Sequence, residues 1–265
     1  IETILEAAEL KKSGACKRLV VTGCLAERYP REIQTDLVEV DAILGTNQIE
    51  QIGRVVSGQS VLPPTSFGRS DADLYLYDHN TPRALTTPKY SAYIKIAEGC
   101  DHTCAFCIIP KIRGPFRSRS IFSLVREARN LAAQGVREIT LVSQDTTSFG
   151  LDVGVEDGLA HLLEALDKVE GLKWIRFLYV YPNMVSDKLI KVVSSSDKIC
   201  KYIDMPLQHV SAAVLRSMRR GGNRASLTRM IERIRKGIPG VTFRTTMLVG
   251  FPGETEADFQ ELKGY

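Results

Sequence analysis

Three cysteines, Cys100, Cys104 and Cys107, fall within eight residues of the stretch "YIKIAEGCDHTCAFCII". Thiolate sulfur is a soft ligand suited to iron–sulfur clusters and zinc. A zinc site ordinarily draws on two paired spacings, and no second Cys-x-x-Cys pair follows. His102 lies inside the loop and could complete a zinc shell, although loop histidines are mostly solvated. Disulfides are disfavoured in a chain without an export signal. Three structural thiols at one strand end are the bland alternative. A cubane iron–sulfur cluster fits the spacing better. Three thiolates leave one iron open to a non-protein ligand. An electron-transfer protein normally supplies all four ligands, so an open iron implies chemistry on a bound molecule.

Such a loop needs a frame. The chain has 265 residues, 44% of them hydrophobic, enough for one large domain or two smaller ones. Charged residues make up 25% and the net charge is +4. That describes a solvated surface which tolerates a nucleic acid or ribosome without requiring one. No apolar run is long enough to span a bilayer and no signal-like segment opens the chain, so the expected location is the cytoplasm, with no membrane partner. "IETILEAAELKK" opens as a running helix and "GETEADFQELKGY" starts another from Thr255. The chain therefore reads as a piece of a longer protein.

Residues 1–58 form an α/β piece: "KRLVVT" and "EVDAILGTN" are strands, and "QIEQIGRVVSG" has helical periodicity. Residues 59–90 are rich in Pro, Ser, Asp and Thr and read as a linker, with a short extended piece at Leu74 to Tyr77. From 91 to 265 strands such as "SAYIKIAE", "REITLVSQD", "WIRFLYVYP", "KYIDMPLQH" and "TFRTTMLVGFPGE" alternate with helices. Alternation at this spacing predicts a parallel sheet, closed or open, whose active site gathers at the C-terminal strand ends. The polar clusters sit there: Cys100, Ser143-Gln144-Asp145, Tyr181-Pro182-Asn183, Gln208-His209 and "GFPGE". By itself "GFPGE" reads as a plain turn before a helix cap.

Cys-x3-Cys-x2-Cys after the first barrel strand, with Phe106 directly before the third cysteine, resembles the radical S-adenosylmethionine enzymes. The resemblance implies that the open iron chelates the methionine end of that cofactor. One electron then breaks a sulfur–carbon bond and yields a 5′-deoxyadenosyl radical, as needed to attack an unactivated C–H bond. It also implies cofactor contacts from Phe106, Gln144, Asp145, Gln208, Thr245, Gly250 and Glu254. Gly250 and Gly253 would let the backbone approach the ligand.

The longer phrase "YIKIAEGCDHTCAFCIIPKIRGPFRSR" resembles the methylthiotransferases among these enzymes. "VVTGCLAERY" and "VDAILGTNQ" resemble the second half of their N-terminal domain, where three cysteines hold an auxiliary cluster. Cys24 matches the last of these, and the other two would lie upstream of Ile1. Cys16 and Cys200 match no ligand position and read as helix-turn packing and core. The implied fold is α/β, a partial β/α (TIM-like) radical-SAM barrel preceded by part of the α/β N-terminal methylthiotransferase domain. The implied cofactors are two 4Fe-4S clusters and S-adenosylmethionine.

"WIRFLYVYPN", "YIDMPLQHVSAAVLRSMRRGG" and "IPGVTFRTTMLVGFPGE" resemble the branch that modifies the β-carbon of an aspartate in ribosomal protein S-twelve. The alternative branch modifies a tRNA adenosine, and a non-catalytic metal-cluster module is more distant. The implied partners are that ribosomal protein or the small ribosomal subunit, and an electron donor such as a flavodoxin or ferredoxin. Arg113, Arg117 and Arg119 form a basic run past the cysteines, either a solvated face or an anchor for acidic groups.

Overall fold

The computed structural model of the chain describes residues 1–64 and 75–265. The extended piece expected at Leu74 to Tyr77 falls partly outside them, and Tyr75 to Tyr77 forms no ladder. The chain divides into two compact units. One is Ile1–Tyr75 with Ile108–Gly114, and the other is Leu76–Cys107 with Pro115–Tyr265.

The first unit runs α1 (Glu2–Lys12), β1 (Val20–Thr22), α2 (Cys24–Arg28), α3 (Pro30–Asp36), β2 (Ala42–Leu44) and α4 (Ile52–Val56), and takes in α5 (Ile109–Arg113). β1 and β2 pair in parallel, with Val21 opposite Ile43. Val21, Ala26, Ile33 and Ile43 form its small core. Gly23 sits at φ 105°, a conformation that costs a residue with a Cβ dearly. It lets the strand turn abruptly into α2, whose first residue is Cys24. Pro30 starts α3, where its missing N–H would be unpaired anyway.

The second unit runs β3 (Ser91–Lys95), β4 (Ala97–Glu98), β5 (Arg117–Ser118), α6 (Ile121–Ala133), β6 (Glu138–Val142), α7 (Gly158–Asp167), β7 (Trp174–Phe177), α8 (Asp187–Ser195), β8 (Tyr202–Asp204), α9 (Ala212–Ser217), α10 (Arg224–Gly237), β9 (Thr242–Arg244) and α11 (Glu256–Lys263). β3, β6 and β7 pair in parallel in that order. A parallel bridge between Ile175 and Ile199 carries the row on to β8, which pairs in parallel with β9. The result is an open parallel arc, with no closed barrel among the described residues.

The register explains the core. Ala92, Ile139 and Ile175 form one row, and Ile94, Leu141 and Phe177 the next, all 0% exposed. They pack with Leu124 and Leu131 of α6 and Leu162 and Leu166 of α7. Burying each large apolar side chain of this kind stabilises the fold by about 1.5–3 kcal/mol. The intervening rows, Tyr93–Thr140–Arg176 and Lys95–Val142, show the opposite face of the sheet. Ser120, Ser186, Asn223 and Thr255 cap α6, α8, α10 and α11.

Among the described residues β3 is an edge strand. Tyr90 O is taken by the N–H groups of Arg137 and Glu138 on the β6 side, so the carbonyls of Ser91, Tyr93 and Lys95 point the other way. Each receives a side-chain donor: Thr87 Oγ1 to Ser91 O at 2.5 Å, Arg83 Nη2 to Tyr93 O at 3.0 Å, and Arg119 Nη1 to Lys95 O at 2.8 Å. Arg119 is therefore neither a solvated cation nor an open anion anchor. It is 4% exposed and pairs with Glu127.

Candidate cluster and cofactor site

The antiparallel pair β4–β5, with Ala97 opposite Ser118 and Glu98 opposite Arg117, pins the base of the cysteine segment. Cys100 is buried, Cys104 half-buried and Cys107 exposed. A backbone bond from Cys107 N to Cys104 O, 3.0 Å, makes a tight turn between the last two. Burial pushes the Cys100 thiol up to about 11, and the charges of Asp145, Cys107 and Cys104 push the same way, against a hydrogen bond from the His102 N–H. Metal binding here has to displace a proton from Cys100.

Among the described residues no group of three or more His, Cys, Asp or Glu side chains converges as a shell for a single ion. A cubane asks for a different arrangement, because each thiolate binds its own iron at its own corner. Three thiols on one short loop, joined by the Cys107 N to Cys104 O turn, fit that donor set.

His102 is not solvated. Its Nε2 lies 2.7 Å from Asp145 Oδ2, and its ring stacks on Tyr181 with centroids 3.8 Å apart and planes 11° from parallel. Asp145 is 2% exposed. Burial opposes its charge, but hydrogen bonds from His102, Ser148 and Thr147 outweigh that and hold its carboxyl below the usual range. Its Oδ1 takes the Thr147 N–H at 2.9 Å and hydroxyl at 2.5 Å, while Ser148 Oγ donates to Oδ2 at 2.6 Å. Thr147 Oγ1 in turn accepts from Tyr181 N at 3.1 Å. The strand ends of β6 and β7 and the cysteine loop are laced together at this point.

Gln144, next in line, is half-buried. Phe106 is 39% exposed on the loop. Gln208 adopts φ 71°, and its backbone bonds Thr246 O at 2.9 Å and Leu248 N at 2.7 Å, joining the ends of β8 and β9. Thr245 Oγ1 accepts from Leu207 N at 3.2 Å. Gly250, at φ 75°, donates its N–H to Glu254 Oε2 at 2.6 Å, and Phe251 N donates to the same oxygen at 3.1 Å. His209 is fully buried, accepts from Ser211 N at Nδ1, and faces Glu254 Oε1 with Nε2 at 3.5 Å. That is too long for a strong hydrogen bond.

Sequence reasoning missed Arg220. Its guanidinium lies 3.7 Å from Cys104 Sγ and 4.5 Å over the Tyr181 ring. The double arginine before two glycines in "SMRRGGN" was the available signal. In the first unit, Arg113 Nη2 donates to Cys24 Sγ at 3.3 Å. Cys16 Sγ reaches Arg18 O at 3.1 Å. Cys200 is half-buried rather than deep core, with its thiol pushed up by burial.

A family model described as the radical SAM superfamily matches residues 94–264. The chain belongs to the radical SAM superfamily. It is 53% identical, over 99% of its length and 56% of the relative's, to the ribosomal protein uS12 methylthiotransferase RimO of Solibacter usitatus. To the protein of the same name from Koribacter versatilis it is 48% identical, over 99% of this chain and 60% of that one. The chain therefore spans a little over half the length of these curated relatives.

Among solved structures, the radical SAM methyltransferase TsrM of Kitasatospora setae superposes with a TM-score of 0.74 at 15% identity, over 98% of this chain and 56% of that one. The cobalamin-dependent radical enzyme OxsB gives 0.65 at 11% identity, over 93% and 39%. At such identities the likeness is one of fold, and that fold is the radical SAM α/β arc. No helix among the described residues is long and apolar enough to cross a membrane.

Proposed function

We propose that this chain is the radical-chemistry portion of a methylthiotransferase that places a methylthio group on the β-carbon of an aspartate in ribosomal protein uS12. The observation that carries the chemistry is the loop that places Cys100, Cys104 and Cys107 within eight residues, just past the C-terminal end of β3 in a parallel sheet. About half identity to proteins named for that reaction supports the substrate.

In this reading Cys100, Cys104 and Cys107 hold a 4Fe-4S cluster and Cys24 supplies one ligand of a second. Residues 1–58 belong to the methylthiotransferase N-terminal domain, 59–90 to a linker and 91–265 to the radical barrel. The three thiolates would leave one iron open to S-adenosylmethionine, and with an electron from a flavodoxin- or ferredoxin-type donor that cofactor would supply a hydrogen-abstracting radical. The chain's own residues build the walls. Gln144, Gln208, Thr245 and Gly250 offer contacts along the strand ends, and Phe106 an exposed ring beside the third cysteine. Asp145 and Glu254 act mainly by holding their loops, since their oxygens already accept several donors.

Modification of a tRNA adenosine is the second reading, and Tyr181 is the ring that a flipped purine would want. That ring is already engaged by His102 and Arg220, which favours the protein substrate. Full-length enzyme given both substrates should add about 46 mass units, one SCH3-for-H replacement, to a uS12 peptide and leave tRNA unchanged. Mass spectrometry of both products decides it, and modification of tRNA alone would overturn the substrate assignment.

A further inference from the structure

Arg220 stands in the turn after α9, and its neighbours show how it is aimed. Arg219 is exposed and sits at φ 55°, a left-handed kink rare for a residue with a long side chain. Arg220, one residue on, is half-buried. Its Nη2 donates to Pro206 O at 3.1 Å, just past β8. Its Nη1 reaches Cys104 Sγ at 3.7 Å, and its flat face covers the Tyr181 ring at 4.5 Å. The same turn holds the cysteine loop through its backbone, with Ala105 N donating to Met218 O at 3.0 Å. Two donors on separate nitrogens plus a stacking face are what a planar guanidinium supplies and an ammonium does not.

We infer that Arg220 is a positioning residue that sets both the place of Cys104 and the reduction potential of the cluster it ligates. The inference rests on the reading that Cys100, Cys104 and Cys107 hold a 4Fe-4S cluster. Adding an electron to such a cluster adds negative charge, which spreads onto its sulfurs. A cation donating to one ligand sulfur stabilises the reduced form more than the oxidised form, so it raises the potential. Tyr181 and Pro206 O fix the guanidinium so that it cannot swing away into solvent. His102 lies between Cys100 and Cys104 in the chain, and it anchors the loop through its stack on the same Tyr181 and its bond to Asp145. Cys104 is thus held on a loop already steadied at His102, with the cation aimed at its sulfur.

The test uses the whole chain in a Cys24→Ala background, reconstituted anaerobically with ferrous iron and sulfide, so that a single cluster reports. Cluster reduction by dithionite is followed by electron paramagnetic resonance for the Arg220 chain, Arg220→Lys and Arg220→Gln. The Gln variant is expected to titrate at a lower potential than the arginine chain. The Lys variant is expected in between, because lysine keeps the charge but cannot stack on Tyr181 and bond Pro206 O together. Loss of the cluster from Gln alone, with all three chains melting alike, also supports the inference. A Gln cluster that titrates with the arginine one overturns it, as does equal cluster loss from both variants with lowered melting, which marks a purely structural role. If the arginine chain itself takes up no 4Fe-4S cluster by iron and sulfide analysis, the underlying reading of the cysteines falls, and this inference with it.

Discussion

Arg119 and Glu127 form a buried ion pair, Nη2 to Oε2 at 2.7 Å, with side chains 2% and 11% exposed. The oxygen has no well-aligned donor, so the attraction is between charges more than a directed hydrogen bond. The other Glu127 oxygen takes Arg83 Nη1 at 2.6 Å. One carboxylate thus steadies both guanidinium groups that cover the carbonyls of β3. Glu127→Gln leaves Arg119 buried without its counter-charge. It should destabilise the chain by about 3 kcal/mol, the scale of breaking one partner out of a buried pair. Urea unfolding followed by circular dichroism measures this, and a change near zero would show that solvent already screens the pair.

Cys104→Ala should abolish stable iron incorporation at the three-cysteine loop and, with it, cleavage of S-adenosylmethionine. The fold should survive, because the side chain is half-buried on a loop rather than in the core. Iron analysis alongside a thermal melt separates the two effects. Undiminished 5′-deoxyadenosine formation would contradict the assignment of the loop.

Cys24 makes a separable prediction. In a longer protein that carries this chain and two further cysteines for the proposed second cluster, Cys24→Ala should spare cofactor cleavage and stop methylthio transfer. Product analysis by mass spectrometry and cofactor cleavage by chromatography are read from the same reaction. Transfer at the normal rate would reduce Cys24 to a thiol that Arg113 happens to touch.

Asp258 predicts a pH dependence. Hydrogen bonds from the Ser211 hydroxyl, the Thr255 hydroxyl and the Thr255 N–H lower its pKa from 3.8 to about 2. A carboxylate depressed in the folded state stabilises the fold above its unfolded pKa, and that contribution fades as pH falls from 3.8 toward about 2. Ser211→Ala removes the largest cause, so its stability deficit should be greatest above pH 3.8 and shrink on acidification through that window. Melting temperatures across the acid range test it. A deficit that grows on acidification would point to a role for Ser211 other than its 2.5 Å bond to Asp258.

The alternation of strands and helices was legible because apolar side chains mark both elements. Ala92, Ile94, Ile139 and Leu141 lie in recognisable strands, and Leu162, Leu163 and Leu166 on one helix face. Strand ends were not legible. "WIRFLYVYP" pairs only over Trp174–Phe177, since Tyr179 at φ 61° leaves extended geometry. "KYIDMPLQH" pairs over Tyr202–Asp204 before Gln208 turns left-handed. The short helices α2, α3, α5 and α9 carry too few turns to show a period.

The cysteine spacing was visible because its parts are local. His102 with Asp145, and Arg220 with Cys104, are separated by 43 and 116 residues. No periodicity reports such pairs, and only folding brings them together.

The covered flank of β3 gives the sheet a polarity of growth. An exposed strand edge is a template on which a stray extended peptide, or a second copy caught half-folded, can dock and propagate. With Thr87, Arg83 and Arg119 occupying the outward carbonyls, that side offers an invading backbone few acceptors. Accretion would first have to evict three side chains, two of them tethered to one carboxylate. The barrier to docking on this flank is thus set by a single side chain, and loosening the Glu127 carboxylate would lower it.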